Sequence, residues 1–191
     1  MVHATSATGA GRFLTWRPPA SLVLAAAAIL VAGALPWLFT FDADLLSRRE
    51  GLGSVRVPES PAFVVLAVRN LAIGAIAAAG RRSWGATAII VLLVNGYALA
   101  GSVVRALGRG LPPEFVAAAL VPHGLLEMPA LWIAGAAGLS GVPWLRAQLV
   151  PEERDRPVKW WMLSVGLSLG AALIECTLTP AVIARVLASI R

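Results

Sequence analysis

Two ionisable side chains, His123 and Glu127, lie in the middle of a strongly apolar stretch of this chain. They belong to the segment Pro122-His-Gly-Leu-Leu-Glu-Met-Pro-Ala130, and residues 115–121 and 131–139 on either side are almost wholly apolar. A spacing of four residues places both groups on one face of a helix, one turn apart. Ionisable groups at bilayer depth are costly and usually face a protein interior, where they tend to be functional. The pair is therefore the first candidate site.

Several kinds of chemistry are open to this pair. A hydrogen bond between the two side chains would fix helix packing, and the pair could also bind or dock a partner. With Glu175 it could offer three ligands to a divalent metal, although nothing in the spacing enforces the geometry. The segment lacks the second histidine of a His-Glu-x-x-His metalloprotease, and no serine or cysteine motif for nucleophilic catalysis accompanies the histidine. We expect neither enzymatic activity nor a cofactor.

Other polar residues lie near the centres of the other apolar segments. At about 1.5 Å of helix rise per residue, they fall within roughly 10 Å of the depth of His123 and Glu127. A charge at that depth is tolerated when it has a partner, so Arg69 is expected to pair with Glu127 or Glu175. We predict that six residues converge in one buried cluster at the membrane midplane: Arg69, Asn70, Asn95, His123, Glu127 and Glu175.

Three prolines should disturb the helices near this cluster. Pro122 and Pro129 each remove a backbone donor, so the span should kink on both sides of the His–Glu pair. The carbonyl groups freed near Ala118 and Leu125 need partners, which the asparagines or ordered water could supply. Pro180 is expected to interrupt the last span, leaving either one tilted helix or a span with a short amphipathic tail.

Composition places these residues in a membrane protein. Of 191 residues, 58% are hydrophobic and 14% charged, against about 45–50% and 25% in soluble domains. We predict an all-α polytopic transmembrane bundle, residues 21–191, after a basic amino-terminal arm, residues 1–20. Its spans are expected at about 21–39, 61–79, 84–104, 114–139 and 160–188. Between the first two, residues 42–61 would suit a short interfacial helix.

The net charge of +6 indicates lipid rather than nucleic acid as the partner. Arginines occur singly or in pairs at the ends of apolar runs, as anionic headgroups and membrane orientation require. Eight basic residues on the side of the amino-terminal arm against seven on the other favour a cytoplasmic amino terminus. One lysine against fifteen arginines, with abundant alanine, suggests a GC-rich bacterial genome. The expected location is the bacterial cytoplasmic membrane.

Small residues and aromatic residues indicate how the spans pack. Gly96-x-x-x-Ala100 and Gly166-x-x-x-Gly170 would let helix backbones approach closely, whether within the bundle or in a homo-oligomer. The single cysteine, Cys176, excludes an intrachain disulfide. Four tryptophans are expected to be interfacial anchors, at positions 37, 144, 160 and 161.

An ordered set of motifs extends over residues 61–185: Arg69-Asn70, Asn95 to Gly101, Pro122 to Ala130, Gly135 to Gly138, Ala172 to Glu175, and Pro180. In this order they resemble the stage II sporulation protein M family of small polytopic bacterial membrane proteins, for which the Pro-His-Gly-x-x-Glu-x-Pro-Ala element is specific. The resemblance implies an integral membrane protein without established enzymatic activity. In spore formers the family's namesake anchors partner proteins that degrade septal peptidoglycan during engulfment, and relatives also occur in bacteria that never sporulate.

Three functions follow as hypotheses. The first is a membrane scaffold that recruits other membrane or envelope proteins, among them peptidoglycan-remodelling factors. The second is a small carrier or channel that uses the polar cluster for a proton, an ion or a lipid headgroup, as transporters often do near the midplane. The third is an intramembrane metal-dependent hydrolase. A structure with no cavity reaching Glu127 or Glu175 would exclude the second.

Overall fold

The computed structural model describes residues 18–41, 62–147, 149 and 157–190, and these contain helices but no strand. Five of the helices are long and apolar enough to cross a membrane. The predicted all-α polytopic bundle is therefore confirmed. Most of the amino-terminal arm and the proposed interfacial helix at residues 42–61 lie outside the described residues.

The spanning helices are α1 (Ala20–Leu38), α2 (Phe63–Ala79), α3 (Ala86–Gly108), α4 (Pro113–Leu139) and α6 (Pro157–Ile190), while α5 (Pro143–Ala147) is a short helix between the last two spans. A 3-10 helix, Gly80–Ser83, joins α2 to α3. The last span is one helix of 34 residues with Pro180 inside it, which is the first of the two forms expected for this segment. Within a membrane bundle, neighbouring groups can satisfy the backbone that a proline disturbs.

Helix α4 is the centre of the bundle. It packs most extensively against α6 and also contacts α1, α2 and α3. Its second half is rich in alanine and glycine, and most residues from Ala130 to Leu139 are buried. Small side chains allow close approach of neighbouring helices. The sequence that follows the His–Glu motif therefore forms the core, while α4 itself remains helical through both Pro122 and Pro129.

Consecutive spans alternate in direction. Phe115 near the start of α4 clusters with Leu187 near the end of α6, and the α2–α3 connection is only a few residues long. One end of the bundle therefore holds both the α2–α3 connection and the α4–α6 connection. We call it the arginine end and define it by the two segments Gly80–Ser83 and Gly141–Ala147.

The crossing of α1 and α3 depends on a glycine. A Cβ atom at Gly96 would collide with the backbone carbonyl of Leu30 on α1. The predicted close packing at Gly96 is therefore confirmed. Gly166 of α6 differs, because no atom lies within 4 Å of the place where its Cβ would stand. Its motif with Gly170 gives no close backbone contact at that position within the bundle.

The tryptophans do not behave as one class. Trp160 is fully buried and belongs to the main core, so its prediction as an interfacial anchor is wrong. Its position in the first turn of α6 turns the indole inward against the end of α4. Trp144 is 65% exposed. Trp37 is half-buried, with its ring 5.2 Å from Tyr97 and 5.4 Å from the guanidinium of Arg105.

Candidate functional site

A cavity of about 230 Å³ lies between α2, α3, α4 and α6. The structure brings all six sequence-predicted polar residues to its lining: Arg69, Asn70, Asn95, His123, Glu127 and Glu175. Each stands well inside its helix, away from the ends. Apolar side chains such as Leu120 and Leu131 complete the wall. Charged groups, amides and an imidazole therefore share one space within the bundle.

The six residues are not uniformly buried. Asn70 is 7% exposed and is the only buried member. Asn95, His123, Glu127 and Glu175 are half-buried, and Arg69 is exposed at the surface of α2. The expectation of a buried cluster is corrected accordingly. These groups line a cavity that opens to the surface of the bundle. Arg69 of α2 lies at the edge of this cavity and not in the core.

His123 and Glu127 lie one turn apart on α4, as their spacing requires. The Nε2 atom of His123 is 3.9 Å from the Oε2 atom of Glu127, beyond hydrogen-bond distance. Their side chains are 13% and 32% exposed. The Nδ1 atom of His123 is buried without a hydrogen-bond partner. The interpretation of the pair as a direct structural hydrogen bond is therefore wrong in this structure.

The expected partners of the other polar groups also differ. Arg69 forms no ion pair with Glu127, Glu175 or any other residue in the described part of the chain. Its guanidinium shares the cavity with both carboxylates without touching them. Arg69 is exposed on α2, so the pairing expected from its depth in the span is not formed in this structure.

The asparagines do not satisfy the carbonyl groups freed by the prolines. Asn95 donates from Nδ2 to the Val91 carbonyl of its own helix at 2.7 Å, and Nδ2 of Asn70 is buried with no partner. A different residue bridges to α4: the Ser164 hydroxyl of α6 donates to the Ala130 carbonyl at 2.7 Å. This serine was missed by the sequence reasoning. The signal for it was a pair of small polar residues, Ser164 and Ser168, one turn apart in an apolar helix.

A smaller chamber of about 20 Å³ adjoins the cavity. Its polar lining combines Asn70, Asn95 and Glu127 with Ser164 and Ser168. A volume of this size fits one water molecule, which needs two to four polar partners. The chamber therefore suits a single small hydrogen-bonding group next to the unpartnered amide of Asn70.

The proposed metal ligands do not assemble. Among the residues that the structure describes, no three His, Cys, Asp or Glu side chains are grouped so that they could hold a metal ion. His123, Glu127 and Glu175 line the same cavity but do not converge on one point. The lining instead offers donors and acceptors of both charges. That arrangement suits a proton, a small zwitterion or a polar group on a partner helix.

Comparisons with known proteins match the part of the chain that contains the cavity. A family model described as Stage II sporulation protein M matches residues 20–180. An uncharacterised protein of Methanocaldococcus jannaschii is 26% identical over 130 residues, which cover 62% of this chain and 71% of that protein. No solved structure matches the chain. The range matched by the family model includes every residue of the cavity.

Proposed function

The chain belongs to the stage II sporulation protein M family, and from this premise we propose that it is an integral membrane anchor. In this proposal it recruits partner proteins that remodel the envelope or septal peptidoglycan, and it catalyses no reaction itself. The observation that carries the proposal is the family match over residues 20–180, which begins with α1 and extends through Pro180 of α6. The recruiting function is accordingly proposed for the bundle as a whole, in the cytoplasmic membrane of a bacterium.

The architecture supports an anchor. All spanning helices contact α4, and the connections from α2 to α3 and from α3 to α4 are only a few residues long. Contact of every spanning helix with one central helix holds the spans together, as an anchor for a partner requires. In this proposal the polar cavity docks a polar group of the partner's membrane segment, with Arg69 at its rim.

The test is capture of partners from membranes of the native host. The tagged full-length protein is crosslinked in cells and purified, and peptidoglycan hydrolases and synthases are quantified against unrelated membrane proteins by mass spectrometry. The wild type should enrich peptidoglycan-remodelling proteins. Glu127→Gln and His123→Ala should lose that enrichment, while Gly166→Ala, a change at a position with open space around it, should keep it.

Two results would count against different parts of the proposal. If the wild type enriches no peptidoglycan-remodelling protein, the anchor function is wrong. If the well-folded cavity variants still capture the partner, the anchor function stands but the cavity does not dock it. Unfolding temperatures in detergent no lower than that of the wild type would show that a loss is not caused by unfolding.

A second function, a small carrier, is favoured by one observation. The cavity of about 230 Å³ reaches both Glu127 and Glu175, so the bundle is not sealed around these carboxylates. A proton or a small polar molecule could bind first to one of these carboxylates and then to the other. In proteoliposomes with an internal pH dye, a carrier would give proton flux that Glu127→Gln combined with Glu175→Gln abolishes. Flux equal to that of protein-free liposomes would contradict it.

A further inference from the structure

A second pocket, of about 480 Å³, lies at the arginine end, outside the polar cavity. Its lining holds three guanidinium groups, those of Arg81, Arg82 and Arg146, and no acidic residue among those described. The arginines come from two connections that are far apart in the sequence. Arg82 and Arg146 form no ion pair with any other described residue, so their charges are available to an anion. The pocket therefore has the charge of an anion-binding site.

Tight backbone packing holds the two connections together. A Cβ atom at Gly141 would collide with the backbone of Arg81, and one at Gly85 would collide with the side chain of Val142. The α2–α3 connection is thus seated directly on the segment that follows α4. This contact fixes the position of Arg82 relative to Arg146. The pocket is therefore defined by the packing of the two connections.

An apolar groove of about 450 Å³ adjoins the pocket. It lies between the last turns of α2 and the first turns of α6, and Arg81 and Arg82 line both the groove and the pocket. Its apolar walls are formed by Ala75, Ala78, Ala79, Pro157, Val158 and Trp161. Alanines on one side make the groove concave. A hydrocarbon chain lying there would keep its polar end beside the arginines.

Trp84 at the edge of the pocket has an unusual backbone. Its φ of 51° and ψ of 38° are left-handed, and no other non-glycine residue in the described part of the chain has a positive φ. Such a conformation is strained for a bulky residue, and strain of this kind clusters at binding sites. The indole is 76% exposed and lines the pocket. Exposed tryptophans at bundle ends sit at the level of lipid headgroups.

We propose that the arginine end binds an anionic phospholipid, with its phosphate between Arg82 and Arg146 and one acyl chain in the adjoining groove. Guanidinium groups bind phosphate oxygens bidentately, and basic pockets between membrane helices are sites for such headgroups. The apolar groove distinguishes a lipid from a soluble phosphate, because a soluble ligand would leave it empty. The lipid would seal the space between α2 and α6.

The opposite end of the bundle carries a different set of charged residues. There the guanidinium of Arg105 lies 5.4 Å from the centre of the Trp37 ring, and Glu114 is a nearby acidic residue in the first turn of α4. At the arginine end, by contrast, three arginines from two connections line one pocket. Arg109 and Arg185, on the opposite end, are therefore the matched control for charge alone.

The test is native mass spectrometry of the detergent-purified full chain with equal amounts of phosphatidylglycerol and phosphatidylcholine. The wild type should retain phosphatidylglycerol preferentially. Arg82→Gln combined with Arg146→Gln should lose that preference, and Arg109→Gln combined with Arg185→Gln should keep it. Ala78→Phe, which fills the groove, should reduce phosphatidylglycerol retention without removing an arginine. All variants should elute as the wild type does in gel filtration.

Three outcomes would overturn the proposal. Equal retention of the two lipids by the wild type would show that the end has no headgroup preference. Equal loss of preference in the control pair would show an effect of total charge rather than of this pocket. Displacement of the lipid by inorganic phosphate, with Ala78→Phe unaffected, would show a free-anion site instead of a phospholipid site.

Discussion

Asn70 and His123 differ from the other cavity side chains because each has a buried nitrogen without a hydrogen-bond partner. A buried unsatisfied donor costs about 1–3 kcal/mol of stability. Proteins usually retain such groups where function requires them. Both atoms belong to residues that line the space between α2 and α4. At the scale of single residues, the two nitrogens are therefore the groups of the cavity that a polar partner would satisfy in the proposed docking.

Replacing Asn70 tests this interpretation. Asn70→Leu removes the unpartnered amide and keeps a similar shape, so it should stabilise the detergent-purified protein by about 1 kcal/mol. Asn95→Leu is the control, since Nδ2 of Asn95 already donates to the Val91 carbonyl; this variant should not gain stability. Thermal unfolding followed by tryptophan fluorescence measures both. A lower unfolding temperature for Asn70→Leu would show that the amide of Asn70 has a partner in solution.

The His–Glu pair gives a second prediction at this scale. With 3.9 Å between Nε2 and Oε2, His123 and Glu127 are close enough for the weak interaction of an i,i+4 pair but too far apart for a hydrogen bond. A double-mutant cycle with His123→Gln and Glu127→Gln should give a coupling free energy of about 0.5 kcal/mol or less. The measurement is the free energy of unfolding of the four proteins in one detergent. A coupling above about 1.5 kcal/mol would show that the two form a direct hydrogen bond.

Depth along the helices indicated which residues share the cavity, but not how they are paired. Counting residues from the span ends placed Arg69, Asn95 and Glu175 at one level, and the structure lines one cavity with them. Counting does not define the rotation of each helix or the rotamer of each side chain. The expected pairing of Arg69 with Glu127 failed for that reason. Ser164 was missed because serines are common in apolar helices, so even its pairing with Ser168 carries little signal.

At the scale of the elements, the α1–α3 crossing makes a sharp prediction. Gly96→Ala places a methyl group against the Leu30 carbonyl, and overpacking of this kind costs about 1–3 kcal/mol. Gly166→Ala meets open space and removes a poor helix former, which should stabilise by up to about 1 kcal/mol. Thermal unfolding should therefore shift in opposite directions. Similar shifts for both variants would contradict the crossing seen here.

Helix bounds were predictable from apolar runs only to within a few residues. Helix α3 continues to Gly108, beyond the expected end at residue 104, because Arg105 extends along the helix to the ring of Trp37 and so suits a helical position. Helix α6 begins at Pro157, three residues before the expected start, since proline is favourable in the first turn of a helix. The helix bounds therefore depend on a local signal in α6 and on a tertiary contact in α3, neither of which the apolar runs show.

At the scale of the whole molecule, the sequence indicated five spans but barely indicated their orientation. Among the described residues, the arginine end holds four basic side chains, Arg81, Arg82, Arg146 and Lys159, and the other end holds three, Arg105, Arg109 and Arg185. By the positive-inside rule, we propose that this arginine end faces the cytoplasm. The start of α1 lies at the same end, since successive spans alternate in direction, so the amino terminus would be cytoplasmic too.

Cysteine labelling tests this orientation. In a Cys176→Ala background, Ser83→Cys at the arginine end should react with a membrane-impermeant maleimide only after cells are permeabilised. Gly108→Cys, exposed at the other end of α3, should react in intact cells, where the cell wall is open to the reagent. Labelling of Ser83→Cys but not Gly108→Cys in intact cells would show that the bundle is inserted the other way round.

The proposed anchor function predicts where other proteins stand in the cell. The most direct measurement is fluorescence localisation of the peptidoglycan-remodelling enzyme captured with this protein, before and after the protein is depleted. The proposal predicts that the enzyme leaves its membrane site on depletion and returns when the wild type is re-expressed. An enzyme that keeps its position throughout depletion would contradict the anchor function.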